Sequence, residues 1–397
     1  MYIQNFVFEK KGKQKMKFTV HKSIFMNVLT PAMGTVSNKN TITSIEGILI
    51  ETLPSGLVQI SSYDMNKGIR ATFKPTSIER EGKYIINAQR LYQTVRVLPD
   101  DEICIDINER LNCEISSGRV NFSIFASRGE DFPNLPDLVS DRGFNISSSI
   151  LKKLISKVSH SVAVQDNRAM LMGAFFKINN NEIEVVSCDS YNLSKCSYKC
   201  EIDSVNNMNE SINYSFIIPG HSLNEISKIL PDDEEYKCNI YLSRKHAIIK
   251  CDDIIFFTRT IDSEYIDYNR IIPKENDIFL TVNREKFISG LERANIIAEE
   301  KIQGSGRSYV KLKTEDNYVY ISSSSVNGKV CDDMDCVHEG GDIEIGFNCR
   351  YLINSIKASE GEEIIMSFKS PTQAVTIEAK EPDEEFSYFY MVLPVKM

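Results

Sequence analysis

The chain has 397 residues, of which 42% are hydrophobic and 25% are charged, and its formal net charge is −9. These values are ordinary for a globular protein of two or three domains. They argue against a membrane-spanning or secreted class, because no apolar run is long enough and the first residues lack the apolar core of a secretory signal. The ten cysteines show no Cys-x-x-Cys spacing, which favours reduced thiols of a cytoplasmic protein over a disulfide framework or a metal site.

The first run of predicted elements begins at Met16, and residues 1–15 form an extension to which we assign no function. Leu91 and Val95 share one face of a predicted helix that ends before a proline. Asp131–Pro136 is a proline-rich segment suited to a linker. The predicted elements are strands at Met16–Val20, Gly47–Glu51, Leu57–Ser61, Ile69–Phe73, Glu102–Ile107, Leu111–Ser116 and Arg119–Ala126, and helices at His21–Leu29, closed by Pro31, and at Gln89–Leu98.

The same order of elements follows twice more along the chain. The second run has strands at Phe144–Ser147, Gly173–Ile178, Ile183–Cys188, Ser194–Lys199, Lys237–Leu242, Ala247–Cys251 and Ile254–Thr260, and a first helix at Ser148–Ser161. The third has strands at Ile278–Val282, Tyr309–Lys313, Tyr318–Ser322, Gly328–Cys331, Ile343–Phe347, Ile364–Phe368 and Ala374–Glu378, a helix at Arg284–Ile297, and a last segment at Phe386–Met397.

One phrase of sequence recurs in all three runs. Ile86–Asp106 reads as the end of a strand, a helix, a turn and a new strand, and it returns at Ile217–Leu242 and, in weaker form, at Ile345–Phe368. The copies are roughly 130 residues apart, which is too long for a solenoid repeat and is about the length of one domain. We therefore predict an α+β fold of three tandem modules, each with two helices and about eight antiparallel strands. Their boundaries are placed at 16–141, 142–275 and 276–397.

Basic residues concentrate in the predicted helices, whereas acidic residues concentrate in turns and strands. Three helices without an acidic residue carry Arg90, Arg96, Lys152, Lys153, Lys157, Arg350 and Lys357. A basic helical surface in an acidic protein is suited to a phosphate backbone. The alternative is that lysine and arginine are simply good helix formers on solvated faces.

Common catalytic motifs are missing from the sequence. There is no phosphate-binding G-x-x-x-x-G-K-[ST] loop, and the five histidines lack metal-ligand spacing. Asp332–Asp335 could hold a divalent cation, but an acidic solvated loop is the favoured interpretation, since nothing supplies further ligands at a set spacing. We predict no catalytic residue, no metal site and no cofactor.

Several short motifs stand in a fixed order along the whole chain. They are Met16–Val20, Asp131–Leu135, Gln165–Arg168, Leu171–Gly173, Cys188–Leu193, Ile345–Asn348, Tyr351–Leu352 and Met391–Met397. In this order and spacing they resemble the bacterial sliding clamps, the beta subunits of DNA polymerase III, from Met16 to Met397. The resemblance implies three similar domains per chain and two chains closed head to tail into a ring around duplex DNA. It also implies a processivity factor without catalytic activity.

The resemblance further implies three sets of site residues. A pocket for partner peptides between the second and third modules would be formed by Leu171, Cys188, Ser190, Tyr191, Asn192, Leu193, Ile266, Arg270, Ile271, Asn348, Tyr351, Thr372, Ala374, Met391, Val392, Leu393, Pro394, Val395, Lys396 and Met397. The DNA-facing set would be Lys39, Gln165 and Arg168, together with the helical residues Arg90, Arg96, Lys152, Lys153, Lys157 and Arg350. The dimer interface would place Phe122 and Ile124 against Ile296 and Ile297 of the partner.

The chain departs from the family pattern at two places. Ala169 and Met170 stand where relatives often have aromatic residues, and Asn192 stands where many have arginine. The expected partners are double-stranded DNA without regard to sequence, a second copy of the chain, a clamp loader, the replicative polymerase and other clamp-binding proteins, all in the cytoplasm. The alternative is a paralogous protein-interaction scaffold that does not load on DNA.

Overall fold

The structure is a computed structural model that describes residues 15–37, 43–140, 142–205, 211–298, 309–381 and 383–397. Within these ranges it contains six α-helices and 26 β-strands, and neighbouring strands pair in antiparallel orientation in each of its sheets. The predicted α+β class with antiparallel sheets is therefore confirmed. No helix in the described part of the chain is long and apolar enough to cross a membrane.

The elements follow one another in the predicted order. Up to residue 140 they are β1 (Met16–His21), α1 (Lys22–Ala32), β2 (Gly47–Thr52), β3 (Val58–Tyr63), β4 (Lys67–Phe73), β5 (Ser77–Arg80), β6 (Lys83–Asn87), α2 (Ala88–Val97), β7 (Glu102–Ile107), β8 (Asn112–Ser117) and β9 (Val120–Arg128). The next are β10 (Gly143–Ser147), α3 (Ser148–Val158), β11 (Gly173–Asn179), β12 (Glu182–Cys188), β13 (Asn192–Lys199), β14 (Asn213–Pro219), α4 (Gly220–Ile229), β15 (Lys237–Leu242), β16 (His246–Cys251) and β17 (Ile254–Arg259). The last are β18 (Ile278–Asn283), α5 (Arg284–Ala298), β19 (Val310–Glu315), β20 (Tyr318–Ser324), β21 (Lys329–Asp335), β22 (Val337–Glu339), β23 (Glu344–Phe347), α6 (Cys349–Ala358), β24 (Glu363–Phe368), β25 (Val375–Ala379) and β26 (Phe386–Val392).

The recurring phrase folds as strand, helix and strand each time, as β6-α2-β7, β14-α4-β15 and β23-α6-β24. Leu91 and Val95 are fully buried, as their helical spacing predicts. In the first and third copies an asparagine begins the helix: the side chains of Asn87 and Asn348 accept hydrogen bonds from the backbone N–H of Arg90 and Arg350. Such caps satisfy backbone donors that the first helical turn leaves unpaired.

Some boundaries differ from the sequence prediction. Helix α1 does not close before Pro31 but continues through it to Ala32. Proline removes one backbone donor, and the residue four positions earlier, Asn27, is exposed, so water can satisfy its carbonyl. The short strands β5 and β22 and the strand β14 were not predicted in full. In β5, partly exposed residues alternate with fully exposed ones, so it lacks the apolar alternation that marks a strand.

The first of two compact units comprises the described residues up to 140 together with 228–230 and 238–259. Its sheet runs in the order β15-β16-β17-β4-β3-β2-β6-β9-β8-β7-β1-β5. Phe18, Phe25 and Phe73 form one aromatic contact group, with ring centroids 5.5–6.4 Å apart. Phe132, from the proline-rich segment, belongs to a buried apolar cluster of this unit that also contains Leu49 and Phe257.

The second compact unit comprises residues 142–227, 231–237 and 260–397. It holds a nine-stranded sheet in the order β14-β11-β12-β13-β26-β25-β24-β18-β22 and a four-stranded sheet in the order β21-β20-β19-β23. Strand β13 pairs with β26 over seven residues, from Asn192 with Val392 to Tyr198 with Phe386. This pairing joins segments nearly two hundred residues apart in the chain, and the predicted peptide pocket lies at one end of it.

Candidate peptide groove and basic helices

A buried apolar cluster forms where β13 meets β26. It comprises Leu171, Val186, Cys188, Leu193, Tyr268, Ala374 and Met391, with Ala163, Met170, Phe175, Tyr265, Ile266 and Phe389 partly buried against it. The structure thus brings together six of the residues predicted for the pocket, from five separate parts of the chain. Leu193 and Val392 are both fully buried and present no area to a ligand. Leu193 belongs to this cluster and supports the surface from beneath, whereas Val392 belongs to a separate buried cluster that includes Leu352.

An apolar strip remains accessible above this cluster. Tyr191 is 57% exposed, Ile271 47%, Leu393 37% and Met397 49%. A cavity of about 500 Å³ continues the strip and is lined by Arg270, Ile271, Ile272, Pro273, Lys274, Glu275, Asn276, Lys369, Thr372, Gln373, Ala374 and Leu393. We call the strip and this cavity together the peptide groove.

The last residues of the chain are tied to the groove by backbone hydrogen bonds. The N–H of Leu393 donates to the carbonyl of Tyr191 at 2.8 Å, and the N–H of Val395 donates to the carbonyl of Gly346 at 2.9 Å. Gly346 leaves the room that the tail occupies, since a Cβ there would lie 2.8 Å from Met397 Cγ. Apolar residues therefore continue past Pro394 because the tail is held against β23, although strand β26 ends at Val392.

A tight turn positions Tyr191 at the edge of the groove. The Asp189 carboxylate accepts hydrogen bonds from the backbone N–H of Tyr191 and Asn192, at 2.9 and 2.7 Å. Ser190 within the turn has a φ of 80°, a left-handed conformation that is uncommon for residues with a side chain. The Tyr191 ring then stacks on that of Tyr351 at 6.0 Å between centroids, so the predicted pocket residues Tyr191 and Tyr351 are in contact.

Arg168, in the segment between α3 and β11, contacts this turn. Its guanidinium donates to both carboxylate oxygens of Asp166 at 2.9 Å and to the Ser190 hydroxyl at 2.5 Å. The hydrogen bonds from Arg168 hold the pKa of Asp166 well below its usual range. Asn192, which replaces the arginine common in the family pattern, is buried and its amide donates to Asp189 at 3.2 Å. Arg168 is thus committed to the edge of the groove as well as being a candidate for DNA contact.

Several residues of this region were not predicted. Tyr265 stacks on Phe175 at 5.0 Å and Tyr268 donates its hydroxyl to Glu184, and burial raises the pKa of both phenols above the ordinary value. The spacing Tyr265-x-x-Tyr268 in the linker-like segment before residue 275 was the available signal. This segment has no apolar periodicity, so the contacts of the two tyrosines become evident only in the folded chain.

The lysines of α3 are paired with acidic residues. Lys152 Nζ lies 3.7 Å from Asp232 and Lys153 Nζ 3.1 Å from Glu360, and both side chains are about one-third exposed. Lys153 Nζ also lies 4.1 Å from the centroid of the Phe386 ring. These two ammonium groups remain partly accessible and are suited to a polyanion.

The prediction that Lys157 faces DNA does not agree with its position. Its side chain is only 6% exposed, and its ammonium donates to the Ala358 carbonyl at 2.5 Å and pairs with Glu360 at 2.8 Å. Burial lowers its pKa. Helical spacing alone placed Lys157 with Lys153, but the ammonium points inward, beside the Tyr388 ring at 4.8 Å. We therefore remove Lys157 from the candidate DNA contacts.

The other predicted DNA-facing residues lie at exposed positions, except where the structure does not describe them. Arg90 and Arg96 are exposed on α2, Arg350 on the first turn of α6, and Gln165 in the segment after α3. Lys39 lies outside the described residues. The exposed basic residues therefore remain candidates.

The four predicted interface residues lie at accessible places. Phe122 and Ile124 are half-buried on β9, and Ile297 is half-buried at the end of α5. Ile296 is 73% exposed, and the loop residue Val326 is 76% exposed. Residues 120–125 of β9 pair with β8 on one side, whereas β6 pairs only with Ala126–Arg128. Along its first half β9 is thus an unpaired edge among the described residues.

No group of three or more His, Cys, Asp or Glu residues in the described ranges is placed to hold a metal ion. In the acidic segment that could have supplied ligands, the Asp332 carboxylate accepts hydrogen bonds from the guanidinium of Arg293. Its charge is therefore matched by an arginine on α5.

His160, next to the lysines of α3, should make the fold sensitive to acid. Burial, with a smaller contribution from the Lys157 charge, lowers the pKa of His160 to about 4. Because the unfolded chain binds a proton near pH 6.5, stability is present above that pH and is lost as the pH falls towards 4. We expect a loss of about 2 kcal/mol between pH 7 and 5 from this group.

Urea unfolding of the wild type and of His160→Gln at both pH values measures this effect. The glutamine can still hydrogen-bond Ser194, which lies 3.1 Å from Nε2 of the imidazole. The difference between the two proteins isolates His160 from the carboxylates that titrate in both. An equal pH dependence in the two proteins would show that His160 is not the responsible group.

Comparison with known proteins places this geometry in one family. Models of the N-terminal, central and C-terminal domains of the DNA polymerase III beta subunit match residues 16–136, 145–267 and 269–395. The beta sliding clamp of Staphylococcus epidermidis is 26% identical over 391 residues, covering 96% of this chain and 99% of the relative. The solved sliding clamp of Bacillus subtilis is 26% identical with a TM-score of 0.86, and covers 97% of this chain and 100% of that one. The solved beta subunit of Thermotoga maritima is likewise 26% identical with a TM-score of 0.86.

The repeated α+β module, the apolar groove and the basic helices together define a binding protein of the DNA clamp fold. The chain belongs to the DNA polymerase III beta-subunit family, the bacterial sliding clamps. Members of this family are non-catalytic processivity subunits of the polymerase, and the prediction that the chain is not an enzyme is confirmed by this membership.

Proposed function

We propose that two copies of this chain close head to tail into a ring around duplex DNA and tether the replicative polymerase and repair proteins to it. The observation that carries the proposal is the match to all three beta-subunit domains, in order, along nearly the whole chain. Each copy would contribute domains at 16–141, 142–275 and 276–397, so six modules would line the ring. A clamp loader would open and place the ring, and the protein would act in the cytoplasm with the chromosome.

Retention on circular DNA tests this function. With a clamp loader and ATP, the protein should remain on a nicked circular plasmid through gel filtration and should be lost when the plasmid is linearised. The dependence on DNA topology distinguishes encirclement from ordinary binding. A protein that binds clamp-binding peptides but is not retained on the circle would be the paralogous scaffold instead.

The proposed contacts with DNA are electrostatic and indifferent to sequence. Arg90, Arg96, Lys152, Lys153 and Arg350 would face phosphates, which lysine and arginine bind by releasing counterions without reading bases. Binding to open linear DNA should be weak and should fall with added salt. The Asp232 and Glu360 carboxylates beside the two lysines keep each contact weak, as a sliding protein requires.

Charge reversal at the α3 lysines tests this set. We expect Lys152→Glu, Lys153→Glu to shorten retention on the circle several-fold, because four units of charge are changed next to existing acids in each copy. The matched control is Lys177→Glu, Lys199→Glu, which makes the same change in net charge at exposed strand positions. Equal retention of the wild type, the double variant and the control across a salt series would show that Lys152 and Lys153 are ordinary solvated surface residues and do not contact DNA.

The peptide groove is the proposed site for partner proteins. A short extended peptide can bind an apolar groove with few residues, which suits a protein that serves many enzymes. The exposed side chains of Tyr191, Ile271, Leu393 and Met397 would contact the peptide, and the buried cluster beneath would keep them in position. Flexible methionine is suited to surfaces that accept varied ligands. By family resemblance the ligand is of the Gln-Leu-x-Leu-Phe type, with its leucine and phenylalanine buried.

The proposed dimer joins two free strand edges. Among the described residues, the first half of β9 has an open edge, and β21, with only β20 as its neighbour, is the outer strand of the four-stranded sheet. Pairing such edges between copies removes unpaired backbone groups. The apolar residues Phe122 and Ile124 would then lie against Ile296 and Ile297 of the partner, which would exclude water from the interface.

A further inference from the structure

Two buried cysteines are in contact within the hairpin formed by β15 and β16. The Sγ atoms of Cys238 and Cys251 lie 3.2 Å apart, and the residues are 0% and 4% exposed. The register of the hairpin pairs Asn239 with Lys250. One step further along that register, Cys238 and Cys251 stand directly opposite each other.

The backbone is already suited to a bond between these sulfurs. Directly opposed residues of antiparallel strands have Cα atoms about 4.5–5.5 Å apart, within the range of about 4.4–6.8 Å that disulfides require. The sulfurs would have to approach by about 1 Å to reach the bond length of about 2.05 Å. Rotation of the two side chains can supply most of this movement, so the strand pairing need not change.

We propose that Cys238 and Cys251 form a modification site, at which a peroxide reversibly converts the two thiols into an intramolecular disulfide. The thiolate of one cysteine attacks a peroxide oxygen, which gives a sulfenic acid and releases water once the leaving oxygen is protonated. The second sulfur attacks the sulfenic sulfur, the S–S bond forms and a second water leaves. Two thiols lose two electrons and two protons in all, and hydrogen peroxide is reduced to two molecules of water.

Access for the oxidant comes from the end of the hairpin. Cys251 is the last residue of β16, and it is followed by the exposed residues Asp252 and Asp253. Asp252 has a φ of 46°, as expected in a tight turn between β16 and β17. Strand ends open locally at lower free energy than strand centres, so a small peroxide can reach the pair without global unfolding. Reduction by a small dithiol would follow the same route.

The other cysteines provide a comparison within the chain. All ten lie in described ranges, and the structure gives no second sulfur–sulfur contact among them. Cys113 and Cys196 are fully buried without a cysteine neighbour, whereas Cys331 is exposed. The spacing of cysteines in the sequence did not indicate this pair, because the two are brought together by the hairpin.

Mass spectrometry of the intact folded protein tests the proposal. The reduced protein is treated with hydrogen peroxide, remaining thiols are alkylated, and the chain is digested with trypsin without reduction. A Cys331→Ala background removes the exposed thiol that would otherwise link two chains. Before alkylation, the intact chain should be about 2 Da lighter than the reduced chain. After digestion we expect a linked pair of peptides, residues 238–244 and 251–259. Dithiothreitol should separate them.

Variants make the assignment specific. Cys238→Ala and Cys251→Ala should each abolish the link, whereas Cys113→Ala should retain it. Amide hydrogen exchange of the oxidised protein should slow in β15 and β16, because the link prevents the strand ends from separating. Sulfinic or sulfonic acids at Cys238 and Cys251 without the linked peptides, or both thiols still free at peroxide levels that oxidise the half-exposed Cys104 and Cys200, would overturn the proposal. These outcomes need only the wild-type pair, so they remain decisive if an alanine variant fails to fold.

Discussion

A chain carrying Ile296→Asp and Ile297→Asp should sediment as a folded monomer at concentrations at which the wild type is a dimer. Ile296 is 73% exposed in the single chain, so in the proposed dimer it would become buried only on association. Burying two isoleucines contributes about 3 kcal/mol or more at each interface, and an unpaired carboxylate there opposes association further. We expect the dissociation constant of each interface to rise at least about 100-fold.

Val164→Asp is the matched control. Val164 is 93% exposed and lies outside the proposed interface, so this variant should stay dimeric. Circular dichroism and thermal melting establish that the double variant is folded, and the single Ile296→Asp change, at a more exposed position, offers a milder perturbation. A folded double variant that sediments as a dimer would place the interface elsewhere. Loss of the fold in both the double variant and Ile296→Asp would assign these isoleucines to the core.

Removal of Val395–Met397 should weaken binding of a Gln-Leu-x-Leu-Phe peptide at least about tenfold. The hydrogen bond from Val395 to Gly346 holds the tail that carries Leu393 and Pro394 along the groove. Without it the tail must be ordered at the moment of binding, and the exposed Met397 is lost as a contact. For the intact chain we expect micromolar affinity, because the area is small and the peptide loses conformational freedom.

Fluorescence polarisation of a labelled peptide measures this change, and Lys396→Ala controls for the loss of a tail charge. The resemblance included Lys396 in the pocket wall, but its side chain is exposed and it is not one of the proposed peptide contacts. The loss of its charge should therefore leave the affinity nearly unchanged. A peptide in which leucine and phenylalanine are replaced by alanine should not bind. Equal affinity for the intact and shortened chains, or no binding to either, would remove the tail and the groove from the proposed function.

The pattern of the sequence was sufficient for the architecture because helices and strands bury regular sets of residues. Leu91 and Val95 are spaced for one helical face and are buried, and the recurring phrase folds as strand, helix and strand three times. The family resemblance also named residues that the fold brings together, since Cys188, Leu193, Ala374 and Met391 gather in one cluster. These features depend on local spacing or on the order of short motifs along the chain.

Features that depend on long-range contacts were not predictable in this way. Lys157 has the same helical spacing as its neighbours, but Glu360 and the Ala358 carbonyl, about two hundred residues away, draw its ammonium inward. Tyr265 and Tyr268 lie in a segment without regular structure and acquire their role only from Phe175 and Glu184. Likewise, the predicted wall residues Leu193 and Val392 are fully buried. Leu193 packs in the cluster beneath the groove, whereas Val392 packs in a separate buried cluster.

In the proposed ring, the pairing of Lys152 with Asp232 and of Lys153 with Glu360 bears on how fast the protein diffuses along DNA. A lysine that already holds a carboxylate exchanges one anion for another when it meets a phosphate, so it gains only the difference between two solvent-exposed ion pairs. That difference is comparable to thermal energy, and the energy landscape along the duplex is correspondingly smooth. In such a ring the acidic partners would therefore reduce the resistance to sliding, and one-dimensional diffusion along DNA would be faster than unpaired lysines would allow.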